Sequence, residues 1–191
     1  MRSAPLTVAE DADHVLMRRI AAKDAAAYRE LVGKYLNFCV RFAERMTGNR
    51  QDAEEIAQDV CLKVWNEAAR WEPQAKFSTW LYRVVTNRCI DYKRRIVPFA
   101  PIDAETMADT APSADATMMR EQQAARVRAA LDALPERQRA AVVLSYYEGI
   151  SNQQAAEAME LQLGAFQQLL FRARQNLKES LSGERMETGH G

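Results

Sequence analysis

The chain has 191 residues and the composition of a soluble globular protein that forms one ordinary domain or two small ones. Its 26 Lys and Arg residues equal its 26 Asp and Glu residues, so net charge provides no overall attraction to a polyanion. Binding to nucleic acid would therefore require local segregation of charge. The three cysteines are an odd number without close pairing, which indicates free thiols in a reducing compartment.

Membrane and enzyme classes find little support in the sequence. No apolar run approaches the roughly 20 residues of a membrane span, and the N-terminal stretch lacks the apolar core of a signal peptide, so we expect a cytoplasmic protein without membrane insertion. With His14 and His190 as the only histidines, neither a His-based triad nor a His/Cys zinc set can be assembled. We therefore expect no catalytic residue, no metal site and no cofactor.

From Asp13 to Arg95 the chain reads as three consecutive helical segments, 13–48, 49–71 and 76–95. Gly48 followed by Asn49 ends the first segment, and Glu72-Pro73 ends the second. Period-two strand patterns are absent. These segments predict a helical domain over residues 13–96, which follows a disordered head over residues 1–12.

Residues 97–119 predict a flexible acidic linker, because they are rich in Pro, Ala and Asp and lack apolar periodicity. Helical patterns resume in a second domain over residues 120–182, before a disordered tail over residues 183–191. The predicted fold class is all-α, with two small helical domains joined by a flexible linker.

The second domain contains the pattern of a helix-turn-helix. Pro135 stands at a helix start and Gly149 at a C-cap. Ser151 and Gln154 have capping-box spacing at the start of a short helix, and Gly164 can open the last helix. Such a pair lays its second helix in a DNA major groove, although an ordinary αα-hairpin in a bundle has a similar pattern.

The last helix separates into two faces when it is projected at 100° per residue. The apolar side holds Phe166, Leu170, Ala173, Leu177 and Leu181. The opposite side holds Gln167, Gln168, Phe171, Arg172 and Gln175. Amides and an arginine can read base edges, and an exposed Phe can contact a thymine methyl. A solvated face with one stray aromatic is the alternative.

The segment 76–95 also has two faces. Leu81, Tyr82, Val85, Cys89 and Tyr92 form the side that can be buried. The other side collects Trp80, Arg83, Asn87, Asp91 and Arg94, flanked by Arg88 and Arg95, with Lys93 in the same cationic cluster. Arginines bind phosphates and an exposed indole can stack on an unpaired base, so this face suits a DNA strand that is held open. The alternative is that Trp80 packs under a loop and the cations are surface residues.

Several stretches together, from about residue 14 to 182, closely resemble the extracytoplasmic-function (ECF) sigma factors of bacteria. They are "DAEEIAQDVCLKVWNEA", "FSTWLYRVVTNRCIDYKRR", "LDALPERQRAAVVLSYYEGISNQQAAEAM" and "FRARQNLKESL". The resemblance implies a protein that is not an enzyme, but binds core RNA polymerase and directs it to promoter DNA. It implies further that the first domain, sigma region 2, binds the polymerase clamp and the −10 element. The second domain, sigma region 4, would read the −35 element.

The resemblance also assigns individual residues. Trp71 and the loop "EPQAKF" match the family's specificity loop near a flipped-out base, and Asn87 with the Trp80/Arg83 face matches its strand-holding helix. The full −10 prediction comprises Trp71, Lys76, Trp80, Arg83, Asn87, Arg88, Lys93, Arg94 and Arg95. The −35 prediction comprises Gln167, Gln168, Phe171, Arg172 and Gln175. Many relatives carry a cation where this chain has Gln167, so we expect fewer phosphate contacts and a preference for adenine edges.

The middle segment of the first domain predicts a partner surface. Its apolar stripe is Ala53, Ile56, Ala57, Val60, Cys61 and Val64. Its outward face is predicted to hold Asp52, Glu55, Asp59, Leu62 and Asn66. Leu62, an exposed leucine ringed by acids on the helix that resembles the clamp-binding element, is predicted to anchor core polymerase. The resemblance further implies a membrane-associated anti-sigma factor that covers these surfaces.

Three other function classes explain the sequence less completely. A conventional helix-turn-helix regulator would leave the first domain without a role. A helical adaptor would leave the cations between Arg83 and Arg95 without a role. An enzyme lacks evident chemistry.

Overall fold

The computed structural model describes residues 12–72, 75–96 and 115–187, and the regular elements in these ranges are all helical. The first domain contains α1 (Ala12–Ala21), α2 (Ala25–Thr47), α3 (Arg50–Glu67), a 3₁₀ turn (Ala68–Arg70) and α4 (Phe77–Ile96). The second contains α5 (Asp115–Asp132), α6 (Glu136–Val142), a π-helical turn (Val143–Tyr147), α7 (Asn152–Ala158) and α8 (Leu163–Glu187). The predicted all-α, two-domain layout is confirmed.

The first predicted segment, 13–48, is two helices rather than one. Lys23 has a left-handed backbone with φ of 66°, which ends the run of α1. Asp24 then caps α2, since its carboxylate accepts hydrogen bonds from the backbone N–H groups of Ala26 at 2.8 Å and Ala27 at 3.1 Å. The apolar pattern continues across this break, so periodicity alone did not separate the two helices.

The turn between α2 and α3 follows the prediction. Gly48 has a φ of 78°, a left-handed conformation that costs glycine little, and its N–H donates to the carbonyl of Glu44. Asn49 caps α3 by accepting from the N–H groups of Gln51 and Asp52. The antiparallel pairing of α2 and α3 is therefore fixed by a two-residue connection.

An apolar core holds the first domain together. Its largest fully buried side chains are Phe42, Phe77, Met17, Ile20, Leu31, Met46, Ile56 and Leu81. Burying one side chain of this size contributes about 1.5–3 kcal/mol relative to leaving it exposed. Because α4 contributes Phe77 and Leu81 to this core, the remaining sides of α4 are held in a fixed orientation.

The second domain begins α7 with the predicted capping box. The Ser151 hydroxyl accepts from the Gln154 N–H at 3.2 Å, and the Gln154 side chain accepts from the Ser151 N–H at 3.2 Å. The π-helical turn that continues α6 was not predicted. Its wider winding leaves Tyr146 and Tyr147 exposed, before Gly149 ends the turn with a φ of 62°.

Two boundaries differ from the predicted linker and tail. Helix α5 begins at Asp115, inside the predicted linker 97–119, and α8 continues to Glu187, inside the predicted tail 183–191. After Pro112 the sequence "DATMM" contains no helix breaker, and "ERME" after Gly183 consists of strong helix formers. Residues 1–11 of the predicted head 1–12 and residues 97–114 of the predicted linker lie outside the described residues, and Ala12 begins α1.

The two domains pack against each other. Helix α4 contacts α6 and α7, and α2 contacts α6 and the π-helical turn. Buried residues of both domains form one continuous apolar cluster. The sequence predicted two domains connected by a linker, and it gave no indication of this contact.

Candidate nucleic-acid interface

The predicted −10 face of α4 lies along a groove between α3 and α4. Leu81, Val85 and Cys89 are buried on the core side of α4, as predicted. The groove has a volume of about 200 Å³, and the following residues line it: Asp59, Val60, Lys63, Glu67, Trp80, Arg83, Val84, Asn87, Arg88 and Asp91. The predicted residues Trp80, Arg83, Asn87 and Arg88 therefore share one surface.

Trp80 is half-buried rather than exposed on this surface. Its ring centroid lies 5.5 Å from that of Phe77, three residues earlier on the same helix. Residues three apart meet on a helix surface, so the indole rests on a buried phenylalanine. Part of the ring faces the groove, and this part can stack on a base. The projection around α4 did not include this contact because Phe77 was not assigned to the buried stripe.

Arg88 is held by an acidic partner on α3. Its Nε donates to Asp59 Oδ2 at 2.7 Å, and its Nη2 contacts the same oxygen. The guanidinium also lies over the Tyr92 ring, 6.0 Å from the centroid. Arg88 therefore connects α3 and α4, whereas the sequence predicted a cation directed at phosphates.

The other predicted −10 cations differ in exposure. Lys76, Arg94 and Arg95 are exposed, as is Asn87. Arg83 Nη1 lies 3.4 Å from Glu160 Oε1 of the second domain. Lys93 is half-buried, and burial lowers its pKa. Lys76, Asn87, Arg94 and Arg95 are thus the predicted −10 residues that are open to solvent.

Trp71 lies at the N-terminal side of this face. Its ring contacts His14 of α1, with centroids 5.1 Å apart in an edge arrangement, and Phe77, with centroids 6.1 Å apart. These contacts fix the chain just before the predicted specificity loop. Pro73 and Gln74 of that loop lie outside the described residues. The proximity of Trp71 to a flipped base stays a prediction.

The predicted polymerase surface on α3 divides into two parts. Leu62 is 58% exposed, and Glu55 and Asn66 are exposed beside it. Asp59 instead contacts Arg88, and the Asp52 carboxylate lies close enough to Tyr92 of α4 to affect its pKa. Burial, together with the Asp52 carboxylate, raises the pKa of Tyr92 to about 12.

The projection around α3 directed Asp52 and Asp59 away from the domain because it omitted α4, which packs beside them. Both carboxylates are half-buried and face α4. Leu62, Glu55 and Asn66 remain as the exposed members of the predicted partner surface.

The predicted −35 face of α8 is open to solvent. Gln167, Gln168, Phe171, Arg172 and Gln175 are all exposed. Phe166, Leu170 and Ala173 on the opposite side are buried against α6 and α7. Phe171 is 52% exposed, so about half of its side chain lies in solvent rather than in the core. Base reading by this face stays a prediction.

Sequence reasoning missed two residues that connect the domains. Arg139 of α6 is only 4% exposed, although arginine is rarely buried. Its spacing from Val142 and Val143 places it on their apolar face, which is the signal that could have indicated burial. The second residue, Glu160, adopts a left-handed backbone with φ of 55° after α7, and a helical projection does not predict its partner.

No group of His, Cys, Asp and Glu side chains that could hold a metal ion occurs in residues 12–72, 75–96 and 115–187. In the same ranges, no helix is both long and apolar enough to cross a membrane.

Two family matches cover the two domains. The Sigma-70 region 2 family matches residues 31–96, and the Sigma-70 region 4 family matches residues 124–177. Most of α2 and all of α3 and α4 fall within the first match, and α6, α7 and most of α8 fall within the second.

Full-length relatives extend these matches. The chain is 31% identical over 175 residues to the ECF RNA polymerase sigma factor SigE of Mycolicibacterium smegmatis, which covers 88% of this chain and 68% of the relative. It is 30% identical to the ECF RNA polymerase sigma factor RpoE of Cereibacter sphaeroides, across 87% of this chain and 93% of the relative. It is also 32% identical to SigM of Mycobacterium tuberculosis, across 90% and 86%.

Solved structures share the fold. CnrH in complex with the cytosolic domain of CnrY superposes with a TM-score of 0.67 at 24% identity, covering 91% of this chain and 99% of CnrH. The sigma factor RpoE of Bartonella quintana, solved with the anti-sigma factor NepR, gives 0.62 at 21% identity, covering 81% and 96%. With two family matches and full-length relatives above 30% identity, the chain belongs to the ECF RNA polymerase sigma factors and is an alternative sigma factor.

Proposed function

We propose that the first domain, residues 13–96, binds core RNA polymerase and the −10 element while the second, residues 120–182, reads the −35 element. The observation that carries this division is that each domain leaves one polar and aromatic helix face outside its core. On α4 that face holds Trp80, Arg83 and Asn87, and on α8 it holds Gln168 and Phe171. We propose that each face binds a partner, and that the chain acts by binding rather than by catalysis.

The chemistry of the two faces supports different forms of DNA. The α4 face combines a part of an indole with cations, which suits a single strand whose unpaired base stacks while its phosphates are neutralised. The α8 face combines amides with one arginine, which suits base edges in a duplex major groove. Extracting a base from a duplex costs a few kcal/mol, and stacking and phosphate contacts at the α4 face would offset this cost.

The partner surface on α3 is proposed to contact the polymerase. Leu62 presents an exposed apolar side chain beside Glu55 and Asn66. An apolar anchor inside a polar rim is the usual arrangement of an interface hot spot. Because core RNA polymerase acts inside the cell, this role places the protein in the cytoplasm.

Control by an anti-sigma factor is part of the proposal. Two similarly folded proteins were solved with protein partners, CnrH with the cytosolic domain of CnrY and RpoE with the anti-sigma factor NepR. A partner that covers the α3 and α4 surfaces would prevent both polymerase and promoter binding. The partner in the CnrH structure is the cytosolic domain of CnrY, and a partner with a separate cytosolic domain supports a membrane-associated anti-sigma factor for this chain.

Transcription from a promoter library by purified core polymerase, with and without this chain, tests the proposal. We expect initiation from a subset of promoters only when the chain is added. A conventional helix-turn-helix regulator would bind duplex promoters without polymerase and give no new initiation. Absence of chain-dependent transcripts across the library would contradict the proposal.

A further inference from the structure

The groove between α3 and α4 contains as many acids as cations. Three carboxylates and three cations line it: Asp59, Glu67, Asp91, Lys63, Arg83 and Arg88. Each cation has a carboxylate beside it. Lys63 Nζ lies 3.4 Å from Glu67 Oε1, Arg83 Nη1 lies 3.4 Å from Glu160 Oε1, and Arg88 contacts Asp59. The cations of this groove are therefore already neutralised, which does not suit a groove that binds phosphates.

Asp91 is the acid in this lining that no cation neutralises. Among residues 12–72, 75–96 and 115–187, its carboxylate forms no hydrogen bond and no ion pair, although Arg94 and Arg95 follow three and four residues later on α4. The Asp91 side chain is exposed. An ionised carboxylate can only accept hydrogen bonds, so Asp91 offers two free acceptor oxygens to the groove.

Asp91 belongs to a row of polar side chains along the groove. Arg83, Asn87 and Asp91 are spaced four residues apart on α4, so they lie next to one another on one side of the helix. Trp80 lines the same groove. The groove has a volume of about 200 Å³, compared with about 30 Å³ for one water molecule in the liquid, so it has room for a larger group.

The edge of an unpaired base suits Asp91 better than a phosphate does, because two anions repel each other. Unpaired bases are read through hydrogen bonds to their Watson–Crick edge while their faces stack on aromatic side chains. Cytosine presents its 4-amino group as a donor, from which a carboxylate can accept. Thymine presents a carbonyl oxygen at the same place, and a carboxylate cannot donate to it.

We infer that Asp91 is a specificity-determining residue that accepts a hydrogen bond from the amino group of an unpaired cytosine in the −10 strand and disfavours thymine there. The inference rests on the proposed binding of the −10 strand by α4. Asn87, one turn earlier, can donate from its amide to an acceptor of the same base. Trp80 provides the stacking surface, and the exposed Arg94 and Arg95 bind phosphates beyond the groove.

Selection of promoter strands by core polymerase with this chain tests the inference. The template is a promoter from the transcription library, with a pre-melted −10 bubble whose non-template strand is randomised, and the bound strands are sequenced. We expect the wild-type chain to enrich cytosine over thymine at one position. Asp91→Asn should reduce this ratio about tenfold, because an amide can accept from cytosine and also donate to thymine.

Glu67→Gln is the matched control for Asp91→Asn. Glu67 lines the same groove, and its replacement removes the same charge, but Glu67 is paired with Lys63. A general effect of charge on affinity is therefore common to both variants, whereas a change in base ratio is expected for Asp91→Asn alone. An unchanged ratio in Asp91→Asn, or an equal change in both variants, would overturn the inference.

A cytosine analogue locates the contact at the amino group. 2-Pyrimidinone keeps the ring and the two acceptors of cytosine but lacks the 4-amino group. At the selected position, this analogue should weaken binding of the wild-type chain about tenfold and have little effect on binding of Asp91→Ala. Equal losses for the two chains would assign the amino group to another residue, and the inference would be wrong.

Arg94→Gln separates failure of the inference from failure of the proposed function. Arg94 is exposed on α4, so its loss should weaken binding to the bubble template whatever the base. If Arg94→Gln weakens binding while Asp91→Asn leaves the base ratio unchanged, the inference alone is wrong. If Arg94→Gln has no effect and the ratio is unchanged, the assignment of the α4 face to the −10 strand is wrong, and the inference is wrong with it.

Discussion

Helices α4 and α8 present similar chemistry in different surroundings. Each has a buried apolar side and an opposite side with an aromatic residue, cations and amides. On α8 the five residues of the opposite side are all exposed, and among the described residues none of them forms a hydrogen bond or ion pair with another element. On α4, Phe77 packs beneath Trp80, Asp59 contacts Arg88, and Glu160 contacts Arg83. A helical projection is therefore sufficient only where no neighbouring element reaches the projected face.

The first prediction compares the loss in free energy of unfolding when one phenylalanine on each helix is replaced. Phe77→Ala on α4 should lower the free energy of unfolding by about 3–5 kcal/mol, because Phe77 is 1% exposed at the centre of an aromatic cluster. Phe171→Ala on α8 should change it by about 0.5 kcal/mol or less, since Phe171 covers no core. Urea unfolding followed by circular dichroism measures both. Equal losses would mean that Phe171 has a structural role.

Trp80→Ala should depress open-complex formation by about 10- to 100-fold, because stacking of an aromatic side chain is worth about 1–3 kcal/mol per base. The measurement compares a fully duplex promoter with one that carries a pre-melted bubble at the −10 position. If the part of the ring that faces the groove captures bases during melting, the bubble should rescue much of the loss.

Trp80 also rests on Phe77, so a structural effect needs its own control. Circular dichroism of Trp80→Ala provides it. Equal defects on the duplex and bubble templates, together with reduced helicity, would show that the indole acts only in packing.

Leu62→Asp should weaken binding to core polymerase by about 1–3 kcal/mol while leaving helicity intact, because it places a charge in an apolar contact without touching the core. Leu163→Asp is the matched control. Leu163 is 37% exposed at the first turn of α8, where an acid is tolerated by the helix dipole. Fluorescence titration of labelled protein with core polymerase measures both. Similar losses for the two variants would remove Leu62 from the interface.

The smallest effects distinguish phosphate contact from base reading. Arg94→Gln should lower the slope of log affinity against log salt by about one on every promoter, because one phosphate contact is lost. Gln168→Ala should leave that slope unchanged and reduce discrimination at one −35 position, by about 1–3 kcal/mol. Holoenzyme binding to matched promoters at several salt concentrations measures both. A sequence-dependent effect of Arg94→Gln would contradict a phosphate role.

The sequence was sufficient for features that depend on neighbours along the chain. The Ser151 capping box, the Gly48 turn and the two faces of α8 depend on residues at most a few turns apart, and local pattern describes such contacts. The exposed Leu62 was predicted for the same reason. The missed break at Lys23 is the exception, because the apolar pattern continued through it.

The sequence was insufficient where distant residues meet. Arg88 with Asp59 spans 29 residues, Arg83 with Glu160 spans 77, and Arg139 with the Arg45 carbonyl spans 94. Arg83 and Arg88 lie on a helix face whose own pattern is compatible with exposed, solvated charges. The apolar neighbours of Arg139 indicate burial, but they do not indicate its partner. Only the packing of α3, α4 and α6 decides whether such a charge faces water, a carboxylate or a helix end.

Site-specific photocross-linking tests most directly whether the two faces bind separate promoter elements. A photoreactive residue is placed at Asn87 on α4 or at Gln168 on α8, since both side chains are exposed and neither supports the core. In an open complex with core polymerase, we expect position 87 to cross-link the −10 region and position 168 to cross-link the −35 region. Cross-links from both positions to the same element, or none to DNA from position 87, would contradict the account.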